Sequence, residues 1–313
     1  MLQKTRKLYR ILAVYIAKFL DEFKLNFASK VPKKLLKSIL LFRIIEFLHK
    51  YGMELIHVKG DFFEIPELNY IFSMEDDLSA VELYFKERKR TCFFNHDGRI
   101  YAKVKNFVFL LPFPYGIYEL NEVFYDECYG GIDVFNGIVV DIGAFIGDTS
   151  IYFASKGAKE VIAYEPLPHI CEIANTNVLI NKFENVIHIN NEAVGDRYGK
   201  IVIYETKRPG GSSVFIFPEN EVISIRKVKV IPLSDVLFNL GRVDLLKIDC
   251  EGCEHAALKE AYKKEALNNV KNIIIEVHGN PNSIIKLLNK SSYKIIKKQA
   301  HSPLLHLIYA CRR

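Results

Sequence analysis

The chain has 313 residues, 50% of them hydrophobic and 26% charged, which is enough to bury a full α/β core with residues to spare and excludes a disordered or fibrous chain. Its net charge of +6 is unevenly held: residues 1–50 carry 12 Lys/Arg against 3 Asp/Glu, or +9, and residues 51–313 carry 31 against 34, or −3. The acidic balance of the main body argues against a domain built to run along a phosphate backbone, so nucleic acid is not the expected partner.

Six cysteines stand at 92, 128, 171, 250, 253 and 311 without framework spacing, and no secretory leader pattern precedes them. A cytoplasmic, reducing location is expected.

Residues 1–52 form the first region. Leu8, Ile11, Leu12, Tyr15, Ile16, Phe19, Leu20 and Phe23 recur at three- and four-residue steps, with Lys4, Lys7, Arg10 and Lys18 between them, which predicts a basic amphipathic helix. Pro32 separates it from a second apolar helix over 34–50. Such a segment reads either as a peripheral anchor on an anionic membrane, as a dimerisation arm, or as a helical cap with its lysines in water. No uncharged run approaches a membrane-spanning length.

Residues 53–130 are predicted to be strand-rich. Runs at 91–95, 100–104 and 107–111 are separated by turn signals at Asn95-His-Asp-Gly98 and Pro112-Phe-Pro-Tyr-Gly116.

From 131 to 313 the elements alternate as a parallel sheet requires. Strands are predicted near 138–142, 160–165, 186–190, 244–249, 272–277, 293–298 and 305–311, and helices near 148–156, 168–181, 254–267 and 281–289. An insertion after the third strand holds further strand-like pieces at 200–204, 213–216 and 227–231 around the turn 209–213.

The most informative stretch is the first strand with the turn and helix after it. Val139-Val-Asp141-Ile-Gly143-Ala144-Phe145-Ile-Gly147-Asp148-Thr149-Ser150 reads as a buried strand, a glycine turn and a helix, and the next strand ends at Glu165-Pro166. Gly143 allows a conformation or a close approach that a side chain would obstruct, and Gly147 lets the helix start close to the strand. Glu165, 22 residues after Gly143, stands where a carboxylate accepts ribose hydroxyls.

Charge selects among adenosine cofactors. The middle glycine of a dinucleotide fingerprint is replaced by Phe145, and Asp141 and Asp148 would repel a pyrophosphate. They suit S-adenosyl-L-methionine, which carries an ammonium and a sulfonium and no phosphate.

The set 141–150, Glu165-Pro166, Asn191-Glu-Ala-Val-Gly-Asp196, Gly211-Ser-Ser213, Leu233-Ser-Asp235, Asp244-Leu-Leu-Lys-Ile-Asp-Cys-Glu-Gly-Cys-Glu254 and Ile275-Glu-Val-His278 resembles, in order, the FkbM family of S-adenosylmethionine-dependent methyltransferases. The resemblance covers roughly residues 120–310. It implies a Rossmann-like, seven-stranded, doubly wound methyltransferase sheet with an antiparallel insertion, preceded by a helical and strand-rich extension. It further implies that Asp141, Gly143, Ala144 and Gly147, with Phe145, Asp148 and Thr149 in the same turn, wrap the methionine end. Glu165 with Pro166 would hold the ribose, Glu192 and Ala193 would lie beside the adenine, and Asp249 would face the methionine or the methyl group. Cys250 and Cys253 replace small apolar residues of the family pattern.

Methyl transfer from a sulfonium is an in-line displacement, so the protein aligns donor and acceptor and excludes water. An alcohol acceptor also needs a base within hydrogen-bond reach. Asp249, Glu251, Glu276 and His278 are the candidates, each at the carboxyl end of a central strand. Each has a structural alternative: Glu251, like Glu254, can satisfy helix amides, and His278 can be a hydrogen-bonded loop residue. Lys247, two positions before Asp249, either serves the site or forms a structural ion pair.

Cys250-Glu-Gly-Cys253 admits a redox pair or a zinc site, but no second pair supplies further ligands, and two incidental cysteines are expected, with no metal. The Asp249-Cys-Glu-Gly sequence stands where nitrogen methyltransferases carry Asn/Asp-Pro-Pro-Tyr. Nitrogen is therefore the less expected acceptor, and the FkbM resemblance implies instead a hydroxyl of a small molecule, sugar, glycan or lipid-linked saccharide. The competing readings are an RNA methyltransferase gripping RNA through residues 1–50, and a non-catalytic binding module.

Overall fold

In a computed structural model of the chain, the described residues are 56–313, apart from 60–61, 74–77, 207–221 and 303. The helices expected over 8–23 and 34–50, and the strand and turn expected within 209–216, lie outside them. Two compact units are present, Met1–Lys89 and Arg90–Arg313.

The described part of the first unit is an antiparallel sheet of β1 (Ile56–Lys59), β2 (Phe62–Ile65) and β3 (Tyr70–Ser73), followed by the helix α1 (Leu78–Glu87). Tyr84 of α1 is buried and donates to Glu67 Oε1 at 3.2 Å.

The second unit opens with the antiparallel meander of β4 (Cys92–His96), β5 (Arg99–Val104) and β6 (Phe107–Leu110). The tight turn expected between β4 and β5 forms with Asp97 and Gly98 both at positive φ, and the Gly98 N–H is held by Asn95 Oδ1 at 3.0 Å. The unit boundary falls before this meander, so these strands belong to the second unit, where β5 and β6 pack against helices that follow them. The helix α2 (Ile117–Phe124) then buries Ile117, Leu120, Val123 and Phe124.

The main sheet is built from β7 (Ile138–Ile142), β8 (Glu160–Tyr164), β9 (Ile187–Asn190), β13 (Val243–Ile248), β14 (Val270–His278), β15 (Tyr293–Ser302) and β16 (Leu305–Arg312). Its order is β15-β16-β14-β13-β7-β8-β9, with β16 antiparallel to both neighbours. Helices α3 (Asp148–Ser155) and α4 (Pro168–Ile180) follow β7 and β8. Helices α6 (Glu254–Lys263) and α7 (Asn282–Lys290) follow β13 and β14.

The insertion supplies β10 (Ala193–Gly195), β11 (Gly199–Thr206), β12 (Val222–Pro232) and the helix α5 (Leu233–Leu240). This is the expected seven-stranded doubly wound sheet, with the antiparallel β11–β12 pair in the insertion.

The central strands read as near-continuous apolar runs because both their faces are covered; Val139, Val140, Leu245, Leu246, Ile273 and Ile274 are all fully buried. The strand order reverses between β7 and β13. The segments that follow their carboxyl ends therefore depart to opposite faces of the sheet and leave a crevice, which is where ligands enter open α/β sheets.

Helices α1, α2 and α5 were not expected from the sequence. The helix expected over 254–267 stops at Lys263, because Glu265 adopts φ +60 and the chain continues as a short 3-10 turn, Ala266–Asn269. Among the described residues no helix is long and apolar enough to cross a membrane.

Candidate active site

The turn after β7 is fixed by backbone geometry. Gly143 has φ +78, and a Cβ there would lie 1.7 Å from the Asp249 carbonyl oxygen, because the ends of β7 and β13 touch through Asp249 N–H to Ile142 O at 3.0 Å. Phe145, at φ +47, and Gly147, at φ +81, complete the elbow. Gly147 abuts the backbone of α4 at van der Waals distance, so its main requirement is conformational.

Beneath the elbow lies a buried ion pair. Asp141 has no exposed surface; its Oδ2 accepts Thr149 and Ser150 hydroxyls, both at 2.6 Å, and its Oδ1 faces Lys247 Nζ at 3.1 Å. Lys247 also donates to Gly143 O at 2.7 Å and lies 5.4 Å from the Tyr129 ring centre. Burial works against its charge, but Asp141, then Asp249 and Asp148, outweigh it and raise its pKa. Lys247 is thus a fixed cation that braces the elbow.

The cleft above encloses about 990 Å³, a volume that includes its open mouth. Of the residues expected at the site, Gly143, Phe145, Asp148, Thr149, Glu165, Pro166, Glu192, Ala193, Lys247, Asp249 and Glu251 line it. Asp141, Ala144 and Gly147 lie behind its wall as support. Glu276 and His278 stand beside Asp249, with side-chain oxygen and nitrogen atoms of the three within 4.8 Å of one another.

Glu165 is held from both sides, accepting the Phe145 N–H on Oε2 at 3.1 Å and the Leu167 N–H on Oε1 at 2.9 Å. Each oxygen keeps a lone pair for a ligand. Burial pushes its pKa up to about 7, and burial raises Asp148 to about 8 despite the neighbouring Lys247. Glu192 is paired with Lys229 at the rim.

Asp249 Oδ2 accepts from the Tyr129 hydroxyl at 2.9 Å. His278 is clamped by carboxylates: Nδ1 donates to Glu254 Oε1 at 2.8 Å, and Nε2 faces Glu251 at 3.2 Å and Glu276 at 3.7 Å. Burial alone would lower its pKa, but Glu251 and Glu254 raise it to about 11, so the ring is an imidazolium at neutral pH. Glu276 is raised to about 8 by burial and by Asp249.

Several lining residues carry no local sequence signal. Glu119 and Glu122 come from α2, and Tyr129 from the loop after it. Glu119 Oε2 has neither a hydrogen-bond partner nor solvent contact, and burial raises this carboxyl to about 7.

The expectation of two incidental cysteines at 250 and 253 is corrected. Cys250 and Cys253 are joined as a disulfide in the cleft wall. Positive φ at Glu251 and Gly252 turns the chain back so that their Cα atoms come within 5.6 Å.

The family model of the methyltransferase FkbM domain matches residues 141–299. The chain is similar to methyltransferase sdnD of Sordaria araneosa, 27% identical over 214 residues that make up 57% of this chain and 82% of that protein. It is also similar to methyltransferase 1 of Beauveria bassiana, 26% identical over 179 residues, covering 50% of this chain and 71% of that protein. Among solved structures, methyltransferase FkbM from Methylobacillus flagellatus superposes with a TM-score of 0.42 at 15% identity, over 86% of this chain and 59% of that one.

Proposed function

Because the chain belongs to the FkbM family of S-adenosylmethionine-dependent methyltransferases, with the match spanning just over half its length, we propose that it transfers the methyl group to a hydroxyl of a sugar, glycan or lipid-linked saccharide. The observation that carries the cofactor placement is the joint wall of the cleft, where the elbow from Gly143 to Thr149 meets Glu165 and Asp249. Glu165 is oriented by two backbone amides to accept ribose hydroxyls, and Asp148 supplies a carboxyl beside the methionine end. Glu192 and Ala193 sit at the opposite rim for the adenine.

Transfer needs the acceptor oxygen in line with the methyl carbon and the sulfur, with water kept out. As the oxygen–carbon bond forms and the carbon–sulfur bond breaks, the hydroxyl proton passes to a carboxylate. His278 has no free lone pair, since it is protonated and directed at carboxylates through both nitrogens. Lys247 is likewise a fixed cation. Asp249 and Glu119 are among the acids that line the cleft and can take the proton.

Calorimetric titration of the full chain with S-adenosylhomocysteine tests the reading. One site per chain is expected, weakened at least tenfold in Glu165→Gln; absence of binding would refute the cofactor placement. A panel of sugar acceptors with a labelled methyl donor then tests the acceptor class, and labelling of RNA in place of sugars would overturn it.

A further inference from the structure

We propose that Asp249, Glu251, Glu276 and His278 form a site for a divalent cation beside the methyl-donor cleft, and that the ion holds the acceptor oxygen. The geometry has the parts such a site needs. Side-chain oxygen and nitrogen atoms of Asp249, Glu276 and His278 lie within 4.8 Å of one another, close enough to share one ion. The fourth, Glu251 Oε2, lies 3.2 Å from His278 Nε2.

The imidazole is held as metal-binding imidazoles are held. Its Nδ1 is fixed by the carboxylate of Glu254, a residue with no exposed surface; Nε2, which carries a proton toward Glu251 and Glu276 when no ion is bound, would give that proton up to solvent as an ion takes its place. Asp249 is oriented by the Tyr129 hydroxyl in the same manner. Neither orienting group is needed for a solvated acidic surface.

A second observation points to an occupant. Glu119 reaches the cleft from α2, outside the family match, with Oε2 closed off from solvent and without a hydrogen-bond partner, and its charge is felt by Asp249. Lys247, whose charge Asp249 also feels, is committed to Asp141 and Gly143 O. A cleft with this excess of carboxylate takes a positively charged centre.

The donor set selects the ion. Three carboxylates favour hard cations, and one imidazole shifts the preference from Mg²⁺ toward Mn²⁺. Cys250 and Cys253, which bracket Glu251, are bonded to each other and offer no thiolate, which disfavours a zinc–thiolate site.

An alcohol bound to the ion becomes more acidic. With Asp249 committed to the ion, Glu119 takes the proton; the alkoxide oxygen bonds to the methyl carbon, and the carbon–sulfur electron pair stays on the departing thioether. This role rests on the methyl-transfer reading above, whereas binding of the ion does not.

The test is titration of EDTA-treated, desalted full-length protein with MnCl₂ alone, counting free Mn²⁺ by electron paramagnetic resonance. One Mn²⁺ per chain is expected, weakened at least tenfold in Glu276→Gln and in Asp249→Asn. Glu254→Gln, which alters the carboxylate that holds the ring and the Gly252 N–H, should weaken it about 10–100-fold. Thermal unfolding without metal checks that each variant folds, and S-adenosylhomocysteine titration is run beside it. No stoichiometric Mn²⁺ in the wild type, or equal binding in folded Glu276→Gln and Asp249→Asn, overturns the site. Mn²⁺ binding without S-adenosylhomocysteine binding would retain the site and refute the methyl-transfer role.

Discussion

Asp141 and Glu165 are both buried carboxylates at the ends of neighbouring strands, yet their surroundings assign them different work. Asp141 spends both oxygens inside the protein, on Thr149, Ser150 and Lys247, so Asp141→Ala would strand the Lys247 charge. Breaking such a pair costs about 3–5 kcal/mol, and the urea midpoint should fall accordingly. Glu165 faces the cleft, and Glu165→Gln, which sets an amide nitrogen against one of the two backbone N–H groups it accepts, should cost about 1–3 kcal/mol while weakening S-adenosylhomocysteine more than Asp141→Ala does; the reverse pattern would exchange their roles. The raised carboxyls also fix a sign. Glu165 at about 7 and Asp148 at about 8 keep protons in the fold that the unfolded chain releases near pH 4. The native state therefore binds more protons over that interval, and stability must decline as pH rises from about 4 to 8. Ionised Asp148 and Glu165 favour a cationic ligand bearing ribose hydroxyls, so affinity for S-adenosylmethionine should rise over pH 6–8 with proton release. Melting temperature against pH, and calorimetry in buffers of different ionisation enthalpy, measure both effects.

At the scale of elements, α4 carries a device that apolar periodicity does not reveal. Asn177, fully buried, accepts the Leu110 N–H at 2.6 Å and donates to Leu110 O at 3.1 Å and Ile146 O at 2.9 Å. One turn later Asn181 accepts the Val108 N–H at 2.9 Å and donates to Val108 O at 2.7 Å. Together they serve the open edge of β6 as a neighbouring strand would, and tie it to the elbow. Asn177→Ala should cost about 2–4 kcal/mol in urea unfolding because it leaves buried backbone groups unpaired, and Asn181→Ala, partly exposed, about 1 kcal/mol. The main sheet was legible because its strands are fully buried apolar runs such as 138–142 and 272–277, set off by the glycine elbow. The helix α2 was not: it has eight residues, too few turns for a helical period to stand out beside Pro112 and Gly116. Its Glu119 therefore carries no signal in the sequence, and neither does Tyr129, since each meets Asp249 only through chain reversal over more than a hundred residues. The pairing of Cys250 with Cys253 depends on positive φ at Glu251, a non-glycine residue whose sequence gives no sign of it.

For the whole molecule, the division of charge bears on where the enzyme meets its acceptor. The cleft is lined by seven acidic residues, Glu119, Glu122, Asp148, Glu165, Glu192, Asp249 and Glu251, and even with Glu119, Asp148 and Glu165 partly protonated near neutral pH an anionic surface would be repelled from its mouth. The segment 1–50, at +9 with amphipathic spacing, has the opposite preference. A lipid-linked saccharide would reconcile the two, its anionic membrane engaging residues 1–50 while its neutral sugar enters the cleft. Each basic residue near an anionic bilayer contributes on the order of 1 kcal/mol, an attraction that falls off within a Debye length of about 8–10 Å. Full-length protein should therefore cosediment with vesicles containing phosphatidylserine at low salt and be released as salt is raised. Vesicles of phosphatidylcholine alone should retain much less, and a fragment of residues 90–313 should not sediment with either. Equal sedimentation of the fragment would move the membrane contact to the catalytic unit, and failure of the full chain to bind anionic vesicles would leave a free glycan or small molecule as the acceptor.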